Sequence, residues 1–180
     1  KKTNAKEKDL KVKLCPKGEN VELGKEDLFK DTDKMGRNVF HRVCNEGNFE
    51  IAQLLLARDD LDINAPDIGG DTAFYLACEK GHIEIVKLLI GRDDTDINQV
   101  DNLGRNPFHY ACIEGKMEIA QMLISRKDLG VNIKDHRDKT GFDWAMANLS
   151  KEDIVKIGAQ LCATHGFHPS ELLGRQYLNR

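Results

Sequence analysis

Two groups of residues in this chain invite a chemical reading: thiols and imidazoles that could hold a metal, and carboxylates that could hold calcium. Five cysteines and six histidines are present. Cys44, Cys78 and Cys112 recur at an interval of 34 residues, so a fold repeating at that interval places them at one equivalent position. Stacked units hold equivalent atoms about 8–10 Å apart, whereas a disulfide needs Cα atoms within about 7 Å. These three read as core thiols acting as small hydrophobes, and Cys15 and Cys162 have no evident partner. Cys162-x-x-His165-x-x-His168 is the one ligand-like cluster. A structural zinc site takes four ligands, and Gly166 with Pro169 interrupts any helix that would align these three. They fit a capping region better than a metal site. The acidic runs at 59–62 and 93–96 lack the spacing of a calcium loop and read as solvated turns. No Gly-rich phosphate loop follows a strand, and neither G-x-S-x-G nor H-E-x-x-H occurs. No catalytic residue, no metal and no cofactor is expected.

The elements that position these residues repeat with a period of 34. Asp33, Asp67, Asp101 and Asp135 are spaced by it, as are Gly36, Gly70 and Gly104. Behind each Asp lies one pattern: NVFHRVCNEG, TAFYLACEKG, NPFHYACIEG and a degraded TGFDWAMANL. Asn38, Thr72, Asn106 and Thr140 are residue types that cap a helix N-terminus, and Pro107 suits a first helical position. Apolar residues follow at i, i+3 and i+4, as in Phe40, Val43, Cys44 and Phe74, Ala77, Cys78. Gly47, Gly81 and Gly115 end the short helix in a left-handed conformation. A second amphipathic helix carries Ile51, Leu54 and Leu55, then Ile85, Leu88 and Leu89, then Ile119, Met122 and Leu123. Each unit leaves its Phe on an apolar face that only stacking can bury, worth roughly 1.5–3 kcal/mol per Phe. The units must form a solenoid held by nearest neighbours.

These residues resemble the ankyrin repeat, whose first helix reads T-P-L-H-x-A over about 33 residues. The likeness covers residues 33 to 166, about three-quarters of the chain. It implies an all-α solenoid of helix–turn–helix units with β-turn fingers. The units fall at 33–66, 67–100, 101–134 and 135–166. Phe replaces Leu in every copy. The loop after the second helix is one residue longer than in the family, as in Arg58-Asp59-Asp60-Leu61-Asp62. In the family, the His found here as His41 and His109 serves hydrogen bonding within and between units. Asn64, Asn98 and Asn132 fall where the family can be hydroxylated by an asparaginyl hydroxylase. The fourth copy departs furthest. Leu149 replaces its Gly, and Ser150 with Asp153 starts a second helix from Lys151 through Leu161, which Gly166 ends with His165 in its last turn. Residues 167–180 read as a capping helix through Leu172, Leu173 and Tyr177, or as a linker.

Residues 1–32 read as a Lys-rich lead followed by an N-terminal capping segment. Seven Lys precede residue 18 against Glu7 and Asp9. Leu10, Val12 and Leu14 alternate with Lys11 and Lys13, as in a short edge strand. Leu28 and Phe29 suit the trailing end of a further repeat. The chain opens without Met, which suggests a segment of a longer protein. The opening has no apolar stretch typical of a signal peptide.

Across the 180 residues, 27 Lys and Arg meet 30 Asp and Glu, a net charge of −3. Bulk charge therefore does not favour specific nucleic acid binding, and no run of 18 apolar residues offers a membrane span. Reduced thiols suit an intracellular protein, cytoplasmic or nuclear. The resemblance places function on the fingertips and the inner face of the first helices. There the fold predicts a protein-binding surface of Met35, Arg37, Arg42, Ile68, Asp71, Leu76, Leu103, Arg105, Tyr110, Ile113, Arg137 and Trp144. Aligned apolar residues flanked by Tyr, Trp and Arg have the composition of a binding hot spot. The expected activity is a non-enzymatic interaction module acting as adaptor, recruiter or inhibitor on a protein partner, with no small-molecule substrate. The alternative is the targeting domain of a larger enzyme or effector whose catalytic part lies elsewhere.

Overall fold

A computed structural model describes residues 11–14, 19–22 and 28–172, the first two segments by their backbone alone. Strands β1 (Lys11–Leu14) and β2 (Glu19–Glu22) pair antiparallel, with Val12 opposite Val21. The alternating Lys/Val/Leu pattern thus gives a strand, and it has a partner. Four helix pairs follow: α1 (Val39–Glu46) and α2 (Phe49–Leu56), α3 (Ala73–Lys80) and α4 (Ile83–Ile90), α5 (Pro107–Ile113) and α6 (Met117–Ser125), α7 (Gly141–Asn148) and α8 (Lys151–His165). A last turn of helix, α9, spans Pro169–Leu172.

Local sequence sets each boundary. The side chains of Asn38, Thr72, Asn106 and Thr140 accept hydrogen bonds from the first amides of α1, α3, α5 and α7, satisfying donors a helix start leaves open. Gly47 and Gly81 end α1 and α3 at φ 79° and 81°, a left-handed conformation that favours Gly. Ser150 caps α8 through the Asp153 amide. The helix runs to His165 and ends at Gly166, at φ 71°, as the sequence predicts. Leu173 and Tyr177, expected in the last helix, lie outside the described residues, as do residues 1–10 and Cys15.

The helices stack in two layers. In one, α1 packs on α3, α3 on α5 and α5 on α7; in the other, α2 packs on α4, α4 on α6 and α6 on α8. One core runs through the stack, with Phe40, Phe74, Phe108 and Phe142 buried beside Cys44, Cys78 and Cys112. Leu28 joins it from upstream, and Arg58 lies over the Phe29 ring at 5.5 Å. Gly141 has a steric role: a Cβ there would collide with the Phe108 ring. The longer loops are tied by a repeated fork, Arg58 to Asp60, Arg92 to Asp94 and Arg126 to Asp128, each through two guanidinium nitrogens at 2.6–2.9 Å. Arg126 also donates to the Ile90 carbonyl oxygen at 2.6 Å, joining neighbouring units.

Candidate functional site

Each finger is a turn built around one aspartate. In the second unit Asp67 Oδ1 accepts from the Gly69 and Asp71 amides at 2.7 and 2.9 Å, and the Gly70 amide donates to the Asp67 carbonyl oxygen at 3.0 Å. Asp33, Asp101 and Asp135 organise their turns in the same way. Gly36, Gly70 and Gly104 take the positive φ the turn requires, and in the fourth unit Asp138 takes it at φ 61°. The fingers are bonded into a row: Ile68 N–H to Met35 O at 2.9 Å, Asn102 N–H to Gly69 O at 2.8 Å, and His136 N–H to Leu103 O at 2.9 Å.

The second oxygen of Asp67, Asp101 and Asp135 reaches outside its own turn. Asp67 Oδ2 accepts from Arg37 Nε at 2.8 Å, and Asp101 Oδ2 accepts from the Tyr75 hydroxyl at 3.3 Å. Asp135 Oδ2 accepts from the Trp144 indole N–H at 2.9 Å and lies 3.8 Å from Arg105 Nε. Against the burial that would raise it, the Lys139 amide, the Trp144 indole and the Arg137 amide hold the Asp135 carboxyl below its ordinary range.

The surface expected from sequence divides into three groups. Met35, Ile68 and Leu103 are exposed at 51%, 66% and 48%, on a backbone whose polar groups the turns already bond. They are out of register by one residue, since Met35 and Leu103 follow their turn Asp by two positions and Ile68 by one. Arg137 is also exposed. Arg37, Arg42, Asp71, Arg105, Tyr110, Ile113 and Trp144 are half-buried, and Arg37 and Arg105 are engaged by the next turn's Asp. Leu76 is a correction. It occupies the position of Arg42, Tyr110 and Trp144, yet it is 0% exposed. Its neighbouring helices close over it, so it offers nothing to a partner.

An aromatic and guanidinium ladder crosses the last three units. Tyr75 and Tyr110 meet edge to face with centroids 4.6 Å apart. Arg105 donates to the Tyr110 hydroxyl at 3.2 Å and lies 5.4 Å from the Tyr110 ring and 5.6 Å from the Trp144 ring. Arg137 lies 5.9 Å from the Trp144 ring. Tyr75 carried no signal in the sequence, because it stands where the other units place His41 and His109. Asp71 is the odd carboxylate here. Burial, then the charges of Asp67 and Asp101, push it up to about 6 against the opposing Arg37.

The chemically suggestive residues have structural partners. His109 accepts from the Asn106 amide at 3.2 Å and donates to the Lys139 carbonyl oxygen at 3.1 Å. His41 meets the Asn38 side chain at 2.8 Å. Burial holds both rings below their ordinary pKa and pushes the Cys44, Cys78 and Cys112 thiols well above theirs. His165 donates to the Ile124 carbonyl oxygen at 3.0 Å, and His168 pairs with Ser170 at 2.7 Å. Asn64 and Asn98 each bridge to the next loop, Asn64 to Asp94 O and the Asp96 amide, Asn98 to Asp128 O and the Gly130 amide. A cavity beside Thr140, Phe142 and Phe167 holds about 150 Å³, well under the roughly 300 Å³ at which small-molecule sites begin. Among the described residues no helix is long and apolar enough to cross a membrane.

A family model described as ankyrin repeats (3 copies) matches residues 12–101, and one described as ankyrin repeat matches residues 103–139. A search of the curated proteins finds no match.

Proposed function

Because the chain belongs to the ankyrin-repeat family, whose repeats are generally protein-interaction modules, we propose that it is a non-enzymatic recognition module. It grips a protein partner with its fingertips and the adjoining first helices, and works as an adaptor, recruiter or inhibitor. The observation that carries this reading is the exposure of Met35, Ile68 and Leu103 on a row of fingers bonded to one another. Large side chains held on a preorganised backbone lose little conformational entropy when a partner covers them. Trp144, Tyr110 and the neighbouring arginines add side-chain types enriched at binding hot spots.

The test compares capture of lysate proteins by the native chain and by a Met35→Asp/Ile68→Asp/Leu103→Asp variant whose helicity is unchanged. A band lost only with the variant supports the finger surface. The same bands with both would move binding to the other faces and overturn it.

A further inference from the structure

The fourth finger differs from the others in what it offers solvent. His136, Arg137 and Lys139 are all exposed, and its one exposed carboxylate, Asp138, is tied to Lys134 at 2.9 Å. The Arg137 guanidinium lies against the Trp144 ring and makes no ion pair among the described residues. Arg105 holds the neighbouring position over the same ring. Asp135 is buried and accepts from its own turn and from the indole; it pairs with the half-buried Arg105 at 3.8 Å and makes no ion pair with Arg137 or Lys139 among the described residues. The long loops carry the opposite charge. Asp59, Asp62, Asp93 and Asp96 stand there without a forked arginine, and the net charge of −3 hides a division between acidic loops and a cationic finger end.

We infer that Arg137, held against the Trp144 ring, and Lys139 beside it form the docking subsite for an acidic, extended peptide segment of the partner. This rests on the finger-surface reading and adds the chemistry of the occupant. A guanidinium held against an aromatic face is oriented before the partner arrives, and its N–H groups match a carboxylate in two-point geometry. The apolar tips of Met35, Ile68 and Leu103 lie further along the row, so the segment carries apolar residues beyond its acidic part. A peptide fits better than a polyphosphate chain. The exposed apolar tips have no counterpart on a phosphate backbone.

Trp144 is the single tryptophan of the chain, so its emission reports on this subsite alone. The probe is a synthetic peptide with a Glu-rich half followed by a Leu-containing half, about ten residues long, enough at roughly 3.3 Å per residue to cross three stacked units. It is titrated at low salt beside the same peptide with Gln for Glu, and beside a single-stranded oligonucleotide. The inference expects a saturable change with the Glu peptide, binding on the order of tenfold weaker with the Gln peptide, and loss of the signal in Arg137→Glu, an exposed site where the fold is unaffected. Equal binding of the Glu and Gln peptides would overturn the acidic chemistry, as would tighter binding of the oligonucleotide that Arg137→Glu abolishes. No response to either peptide would also overturn it. Capture that still depends on Met35, Ile68 and Leu103 would leave the finger surface standing in each of those cases.

Discussion

Replacing Asp71 by Asn should stabilise the protein at neutral pH, although Asp71 is a member of an ion pair. Its carboxylate lies 3.7 Å from Arg37, but that guanidinium is already bonded to Asp67 at 2.8 Å. Burial and the neighbouring Asp67 and Asp101 charges outweigh Arg37 and push Asp71 from 3.8 up to about 6. Between those values the folded state binds a proton that the unfolded state has released. Stability from this group is therefore complete below about pH 4 and lost as pH rises through about 6. A shift of that size corresponds to about 3 kcal/mol at ~1.36 kcal/mol per pKa unit. The side chain keeps 20% exposure, and screening by water leaves about 1–2 kcal/mol.

The assay is urea unfolding of the native chain and Asp71→Asn at a series of pH values from about 4 to 8. Carboxylates held low, such as Asp33, Asp60 and Asp135, and the depressed His41 and His109 cost stability on acidification. They do so equally in both proteins and cancel in the difference. The variant should match the native chain near pH 4 and exceed it by about 1–2 kcal/mol at pH 7. A variant less stable than the native chain at pH 7, with no change in the difference on acidification, would show that the Arg37 pair dominates and refute the reasoning.

Phe74→Ala should cost about 3–5 kcal/mol by chemical denaturation, as for other large core truncations; a loss below about 1 kcal/mol would mean that the stacking register is wrong. Asn98→Ala removes bonds at 2.7 and 2.6 Å to the next loop and should cost about 1–2 kcal/mol. Asn132→Ala, at the last such loop and without those bonds, should stay within about 0.5 kcal/mol. Asp138→Gly should raise the melting midpoint through a gain of up to about 1 kcal/mol, because it relieves a non-glycine φ of 61° and gives up only an exposed pair with Lys134.

What the sequence made legible was local or periodic. A capping Asn or Thr bonds amides two or three residues away, and a left-handed Gly answers to its own φ, so both could be placed before any packing was known. The Phe and Cys columns followed from the period. What escaped was decided by neighbours about thirty residues away. Period alone put Leu76 in the same column as Arg42, Tyr110 and Trp144, but burial depends on what the flanking units place over it. The period also aligned Arg37 and Arg105 without revealing that the next turn's aspartate engages both. Tyr75, replacing a His, anchors to Asp101 by the same kind of long-range bond.

That division separates the finger surface into positions coupled to the fold and positions free of it. Asp67, Asp101 and Asp135 each shape their own loop with one oxygen and accept from a neighbouring element with the other, so Arg37, Tyr75 and Trp144 belong to the stack as much as to the surface. A change at any of them disturbs how one unit sits on the next, and lost binding there would not by itself identify a contact. Met35, Ile68, Leu103 and Arg137 project from bonded backbone, and their side chains contribute little to the turn. Substitution at these positions changes the surface with little effect on the stack, so specificity can be varied there without loss of stability. The strongest binding evidence will therefore come from these four residues, with the coupled positions read only alongside a stability measurement.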